Sequence, residues 1–189
     1  KNPTMNSCLR YPDRMCDVHM GGYDFSCTEC HTTVGHQISG RSTSCPVTEI
    51  PLSCEKCHSD SPHYQNDLLD PHLNSHCEHI ACNTCHTPVF AKKKPTKVWW
   101  DWSTAGDKER KPVEVDYGKT DYHWKKGDQK WDMAARPEYA WYNGYMNRYL
   151  VGDRFDPSVE VLNLNEPLGC FLDSNSKISP FQIMKGVQP

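Results

Sequence analysis

The chain has 189 residues, a formal net charge of -3 and only 37% hydrophobic residues, which is little for an ordinary aliphatic core. Its 6 Trp, 9 Tyr and 5 Phe are more than a disordered chain usually contains. No segment approaches the roughly 18 consecutive apolar residues of a membrane-spanning helix, and no block of like charge resembles a nucleic-acid-binding tail. The 11 Cys and 10 His therefore indicate that disulfides or a bound group fill the interior.

A Cys-x-x-Cys-His pattern occurs three times in the first half of the chain. The copies are Cys27–His31, Cys54–His58 and Cys82–His86. The pattern is the attachment signature of c-type haem, because its two thiols bind the vinyl groups on one porphyrin edge and its His lies beneath the iron. The sequence therefore predicts three covalently attached haem c groups. The thioether residues are Cys27, Cys30, Cys54, Cys57, Cys82 and Cys85, and the proximal iron ligands are His31, His58 and His86.

Structural zinc is the alternative interpretation, since Cys-x-x-Cys pairs also bind zinc. A zinc site has no need of a His directly after every pair, and all three pairs have one. A redox-active Cys-x-x-Cys is disfavoured as well, because no alternation of strands and helices surrounds the motifs. Haem is therefore the preferred interpretation.

Two histidines repeat the spacing of the motifs, since His36 and His63 each follow a proximal His by five residues. Five residues span at most about 17 Å, which leaves no slack for a path around the porphyrin edge. We therefore predict that each binds the iron of a neighbouring haem, with a solvent-exposed His as the alternative. His19 precedes the first motif and His76 precedes the third, and both are predicted to be axial ligands too.

Histidines outnumber the ligands that three haems need, because seven remain after the proximal ones. His72 and His79 are weaker candidates, and His123 is as consistent with a surface position as with a ligand. The surplus is explained if some of these side chains bind haems carried by another cytochrome chain or by a further part of a longer chain. The abrupt C-terminal sequence favours the latter, so the 189 residues are expected to be the later part of a larger cytochrome.

Five cysteines lie outside the motifs, namely Cys8, Cys16, Cys45, Cys77 and Cys170. Their odd number leaves at least one Cys unpaired or bonded to another molecule. Cys8 and Cys16 are the nearest pair, but the sequence assigns no disulfide partners. Haem of the c type is attached on the oxidising side of the membrane, where disulfides persist. We therefore expect a periplasmic or extracellular protein.

The second half of the chain is rich in aromatic residues and is predicted to cover the haems. The basic run at residues 92–97 either attracts anions such as haem propionates or forms a solvated loop. Trp99, Trp100 and Trp102 are predicted to pack on haem edges or beside them. Residues 159–164 and 180–185 alternate like short strands, residues 103–136 read as a loop with short paired strands, and residues 138–150 read as a helix that Gly144 weakens.

Together these features predict a multihaem cytochrome c fold that is mainly α-helical and irregular. The prediction includes a haem-packed core and a few short β-strands in the C-terminal half. Residues 1–90 form a three-haem module, and residues 91–189 form an aromatic-rich segment that covers it. The two segments are expected to make one structural unit.

Four stretches, residues 27–41, 80–103, 136–144 and 178–181, resemble the octahaem tetrathionate reductase family of multihaem cytochromes c. The resemblance implies a chain with the later haems of an eight-haem array, in which most haems are bis-His and one catalytic haem has a Lys ligand. No motif of this chain ends in Lys, so no catalytic residue is carried over. The resemblance supports His31, His58 and His86 as proximal ligands and His19, His36, His63 and His76 as axial ligands.

The predicted function is electron transfer through closely packed bis-His haems, with redox proteins as partners. One alternative is a part of an octahaem-type reductase of tetrathionate, nitrite or hydroxylamine. Another is a haem-bearing building block of a larger cytochrome assembly. The chain is not predicted to span a membrane or to bind nucleic acid.

Overall fold

The structure, a computed structural model, describes residues 11–35, 37–40, 52–63 and 70–188. The chain divides into two compact units. Unit 1 is drawn from Lys1–Phe25, Thr87–Glu138 and Pro180–Pro189, and unit 2 from Ser26–His86 and Tyr139–Ser179. Each unit takes residues from both sides of residue 90, and the division into residues 1–90 and 91–189 stays a prediction.

Helices are few and short in the described part of the chain. They are α1 (Val18–Gly22), α2 (Cys27–Cys30), α3 (Glu55–His58), α4 (Asp70–His79) and α5 (Cys82–His86). The predicted mainly α-helical fold is therefore wrong. Helices are stabilised mainly by burying an apolar face, and α1, α2, α3 and α5 contain no buried residue. Within the described ranges, none of the helices has the length and apolar character that crossing a membrane requires.

Strands are more numerous than helices, and ten of the twelve described lie after residue 90. Aromatic and β-branched residues, which favour strands, are frequent there. The strands are β1 (Thr33–Val34), β2 (Gln37–Ile38), β3 (Thr96–Asp101), β4 (Glu114–Val115), β5 (Lys119–Thr120), β6 (Tyr122–His123), β7 (Gly127–Asp132), β8 (Glu138–Tyr142), β9 (Met146–Arg148), β10 (Asn165–Pro167), β11 (Lys177–Phe181) and β12 (Lys185–Val187).

Unit 1 is organised around a four-stranded sheet with the order β12-β3-β7-β6. Strand β12 runs parallel to β3, and the other pairs are antiparallel. Tyr122 on β6 is 1% exposed, and its hydroxyl donates to the Asp107 carbonyl at 2.9 Å. The guanidinium of Arg110 lies 4.1 Å from the centre of that ring and binds Asp128 at 2.6 Å. An aromatic ring, a cation and a carboxylate thus take the place of an aliphatic cluster.

The Trp side chains of β3 are covered by lysines. The ammonium of Lys97 lies 3.9 Å from the centre of the Trp100 ring, and that of Lys130 lies 5.0 Å from Trp99. Trp100 also stacks on Trp102, with ring centroids 4.3 Å apart. These cation–π and stacking contacts each stabilise the sheet by about 1 kcal/mol. The predicted packing of these Trp on haem edges stays a prediction.

Unit 2 contains short two-stranded pairs. The pairs β1–β2 and β9–β10 are antiparallel, and β8 pairs with β11 largely within this unit. Residues 138–150 form β8 and β9 where the sequence indicated a helix, because Gly144 has a φ of +98° and makes the turn between them. The strand predicted at residues 159–164 is also wrong. Its Val161 and Leu164 are exposed, so the alternation reflects no buried face.

The polypeptide itself forms very little apolar core. Among the described residues, only Tyr122 and Ala135 are buried hydrophobic residues. Large apolar side chains such as Val34, Ile38 and Phe171 are more than 60% exposed. A chain of this size normally has to bury far more apolar area to offset its conformational entropy. Some other apolar group must therefore pack against these side chains.

Gly127 begins β7 after a three-residue hairpin loop, and it packs closely against the backbone of β3. Its φ is +75°, and an added Cβ would lie 1.8 Å from the Asp101 carbonyl oxygen. Gly118 has a similar φ of +68° with open space around it. We expect Gly127→Ala to destabilise unit 1 by about 3 kcal/mol or more, because left-handed strain and a backbone clash add.

Gly118→Ala is the matched control. Its left-handed backbone strain alone should lower the free energy of unfolding by about 1 to 2 kcal/mol. Urea unfolding of the haem-loaded variants, followed by near-ultraviolet circular dichroism of the Trp residues, measures both. Equal shifts in the two midpoints would contradict the packing at Gly127.

Candidate functional site

All three Cys-x-x-Cys-His motifs lie in unit 2. Each forms about one helical turn, so two thiols three positions apart lie on the same side and the His follows at its end. None of the six motif cysteines forms a disulfide, and five of them are exposed. Within the described ranges, no three His, Cys, Asp or Glu side chains converge as a zinc site requires.

The first motif is completed by the β1–β2 hairpin. This hairpin brings the Ser39 carbonyl within 2.9 Å of Nδ1 of His31. A carbonyl only accepts, so Nδ1 carries the proton and Nε2 has its lone pair free for a metal. Ser39 is 2% exposed, and its hydroxyl donates to the Cys30 carbonyl at 3.0 Å. The hairpin therefore fixes both the orientation and the tautomer of the His31 imidazole.

The second and third motifs lie side by side. Cys54 and Cys82 line the same small cavity, and Cys82 Sγ lies 3.9 Å from Oε1 of Glu55. Burial raises the pKa of the Cys54 thiol above its ordinary value, and the neighbouring Cys82 adds to the increase. His58 lines the small cavity beside these thiols. Two porphyrins attached at these motifs would be neighbours.

His63 lies beside His86, the histidine of the third motif. The ring centroids of His63 and His86 are 6.2 Å apart, and their planes differ by 7°. Imidazole nitrogens on opposite sides of one metal ion are about 4 Å apart, so the ring centroids are about 6 Å apart. Nδ1 of His63 is buried and has no hydrogen-bond partner among the described residues. The separation and the parallel planes fit two ligands of one iron.

Asn74 on α4 holds the backbone of His63. The amide N–H of His63 donates to Oδ1 of Asn74 at 3.1 Å, and Nδ2 of Asn74 donates to the His63 carbonyl at 3.3 Å. This two-bond clamp makes Asn74 a positioning residue for the imidazole. Sequence reasoning missed it, because an Asn eleven residues away has no motif that marks it.

The other predicted axial ligands occupy different positions. His19 is on α1 in unit 1, is exposed, and has its ring 5.7 Å from Phe25. His76 is exposed on α4, where the i, i+4, i+7 spacing places His72 and His79 on the same face. His36 lies outside the described residues. His79 instead packs against Trp141 and Phe171.

The cysteines outside the motifs form no disulfide among themselves in the described part of the chain. Cys16, Cys77 and Cys170 are free thiols. Burial and the nearby Cys82 raise the pKa of Cys77, which lowers its reactivity as a nucleophile. Cys8 and Cys45 lie outside the described residues, and with them the proposed Cys8–Cys16 pair.

Known proteins resemble the chain over almost its whole length. The sequence model of a family described as "Cytochrome c bacterial" matches residues 97–189. The crystal structure of octahaem cytochrome c from Shewanella oneidensis is 43% identical, with a TM-score of 0.81. The match covers 95% of this chain and 40% of that one, so this chain spans about two fifths of its relative. No curated protein matches the chain.

Removal of one motif tests the number of attached haems. We expect the double substitution Cys82→Ala, Cys85→Ala to lower the covalent haem count from three to two, because both thioether bonds of that motif are lost. Intact mass and the haem content of the denatured protein measure the count. Cys170→Ala, which removes an exposed thiol outside the motifs, should leave three. An unchanged count in the double variant would contradict the assignment.

Proposed function

We propose that this chain belongs to the octahaem family of multihaem cytochromes c and serves as an electron-transfer module with closely spaced, bis-His haems. Haem c is its covalently bound cofactor. When bound, that group supplies one-electron exchange at its iron. The residues of this chain attach it, orient its ligands and set the surrounding charge.

The observation that carries the proposal is the arrangement of the second and third motifs. Cys54 of the second motif and Cys82 of the third line the same small cavity, and His63, five residues after the second motif, lies parallel to His86 of the third. A histidine that follows the second motif in the chain and binds the haem of the third motif connects the two neighbouring haems. Close spacing and two strong axial ligands are what electron exchange without substrate binding requires.

We assign the ligands accordingly. His31, His58 and His86 are the proximal ligands, and His63 is the distal ligand opposite His86. His19, His36 and His76 are further axial ligands, for haems of this chain or for haems carried elsewhere. No residue is assigned to catalysis.

Charged groups near the second and third motifs tune the same site. Nζ of Lys177 lies 3.8 Å from Oε1 of Glu55, which itself approaches Cys82. A carboxylate beside a haem favours the oxidised iron, and a partly exposed ammonium partner reduces that effect. The pair therefore moderates the local negative charge.

The cofactor indicates the cellular location and the kind of partner. Covalent haem attachment takes place on the oxidising side of the membrane, where disulfides also persist. We therefore propose a periplasmic or extracellular location. The proposed partners are redox proteins and the other haem-bearing parts of a cytochrome assembly. Their chemistry is outer-sphere electron exchange, which needs proximity of haem edges and no shared substrate.

His63→Gln tests the proposal through the spin state of the iron. In the haem-loaded chain we expect only six-coordinate, low-spin haems and no response to cyanide. In His63→Gln we expect one haem in about three to become high-spin and to bind cyanide, because it has lost a strong ligand. Electron paramagnetic resonance and the visible spectrum measure both.

His72→Gln is the matched control, because His72 is an exposed His on α4. It should leave the spectra unchanged. A cyanide-sensitive haem in the unmodified chain would contradict the electron-transfer proposal and favour a part of a reductase of small sulfur or nitrogen compounds. A high-spin haem in His72→Gln but not in His63→Gln would contradict the ligand assignment alone.

Asn74→Ala tests the positioning of His63. We expect a mixture of low-spin and high-spin haem and a loss of about 1 to 3 kcal/mol of stability, because two hydrogen bonds to the His63 backbone disappear. Ser75→Ala removes a hydrogen bond within the same helix, to the His72 carbonyl, and should not change the spin state. Equal spectra for Asn74→Ala and the parent would show that the clamp is not needed for ligation.

A further inference from the structure

Unit 1 contains a pocket that the haem motifs do not explain. Its volume is about 350 Å³. Three lysines and a histidine line it together with polar and aromatic residues, and no Asp or Glu is among these lining residues. The lining consists of Lys97, Gly118, Lys119, Thr120, His123, Lys126, Gln129 and Trp131.

A β-bulge directs Lys97 toward this pocket. In the pairing of β3 with β7, Lys97 lies opposite Trp131 and Trp99 lies opposite Lys130, so Val98 is the extra residue. Without the bulge, residues 97 and 100 would lie on opposite faces of the sheet. With it, Lys97 shares a face with Trp100, Gln129 and Trp131. Such bulges commonly reorient a functional side chain.

Aromatic contacts hold the cations in place. The ammonium of Lys97 lies 3.9 Å from the Trp100 ring centre and 5.1 Å from that of Trp131, and Lys119 lies 4.8 Å from Trp131. Trp131 Nε1 donates to the Thr120 carbonyl at 3.0 Å, which fixes the ring beneath both lysines. Trp100 Nε1 donates to the Lys126 carbonyl, and this hydrogen bond holds the loop that contains Lys126 against the same aromatic surface. The cluster is therefore formed before any ligand arrives.

The positive charges lack a carboxylate that would neutralise them within the pocket. Burial lowers the pKa of Lys97, and repulsion from Lys126 and Lys119 lowers it further. Like charges that crowd a half-buried ammonium are costly unless an anion joins them. Lysine ammoniums recognise anions as point charges, without the planar geometry that arginine demands. An oxyanion with several equivalent oxygens suits this donor set.

We propose that this pocket binds a divalent inorganic oxyanion between Lys97, Lys119 and Lys126. Gln129 and His123 line the same space and add polar groups at its wall. The volume admits such an anion with part of its hydration shell. Each of these residues belongs to unit 1, whereas the haem motifs belong to unit 2, so the proposal does not depend on the haem ligand assignment.

Calorimetric titration of the full, haem-loaded chain with sulfate and with thiosulfate tests the proposal. Chloride is adjusted to keep the ionic strength constant, since surface attraction alone depends on salt. We expect saturable binding with one anion per chain. Lys97→Gln and Lys126→Gln should each weaken binding about tenfold or more, because each removes a charge-assisted hydrogen bond.

Lys125→Gln is the charge-matched control. Lys125 adjoins Lys126 in the chain but lies over Trp124, with its ammonium 4.9 Å from that ring, and it does not line the pocket. It should change the affinity less than about twofold. If Lys97→Gln fails to fold, Lys126→Gln in the hairpin loop supplies the same comparison.

Three results would overturn the proposal. One is the absence of saturable binding of either anion. Another is an equal loss of affinity in Lys125→Gln and Lys126→Gln, which would mean a diffuse surface field. The third is a crystal structure of the haem-loaded chain with a haem propionate between Lys97 and Lys126, which would mean that the pocket is a seat for the cofactor.

Discussion

Covalently bound haem c takes the role that aliphatic packing has in most domains of this size. Tyr122 and Ala135 are the buried hydrophobic residues of the described chain, whereas Val34, Ile38 and Phe171 are largely exposed. A covalently attached porphyrin offers a large apolar face to such side chains, and its burial contributes about 25 cal/mol for each Å² removed from water. The fold therefore depends on the cofactor, and the polypeptide supplies short elements that attach and orient it.

Orientation of the histidines that we propose as iron ligands rests on ordinary hydrogen bonds made by residues outside the motifs. The Ser39 carbonyl fixes the tautomer of His31, and the Asn74 side chain fixes the backbone of His63. Both residues lie eight or more positions from the group that they hold. Such hydrogen-bond partners raise the basicity of a metal ligand and fix its orientation. The orientation of these two proposed ligands thus depends on residues from several parts of unit 2.

Unit 1 is stabilised differently, through lysine and arginine side chains laid over aromatic rings. Lys97 covers Trp100, and Arg110 covers Tyr122 while it binds Asp128. These contacts cover apolar surface with charged groups whose heads stay close to water. They account for a composition that is both aromatic and polar. Lys97 and Lys119, which lie over Trp100 and Trp131, also concentrate positive charge on one face of the sheet, which is the basis of the proposed anion pocket.

Local sequence was sufficient for the attachment chemistry and insufficient for the architecture. Cys27–His31 and its two copies identify haem c because thioether attachment needs residues that are adjacent in the chain. The helix predicted over residues 138–150 is wrong because Glu138–Tyr142 pairs with the distant strand β11. The strand predicted at residues 159–164 is wrong because its alternation has no buried face. The five-residue spacing of His63 suggested a neighbouring haem, but its partner His86 is 23 positions away in the chain.

The sequence by itself determined what is bound: three short motifs with fixed spacing specify haem c and mark the histidines that we propose as its proximal ligands. Tertiary structure alone decided which histidine faces His86, that Asn74 positions it, and that a bulge at Val98 brings Lys97 to the face of Trp131. The physical reason is the range of the interactions. Thioether and proximal bonds act within five consecutive residues, whereas distal ligation, strand register and charge clustering join residues that only the folded chain brings together.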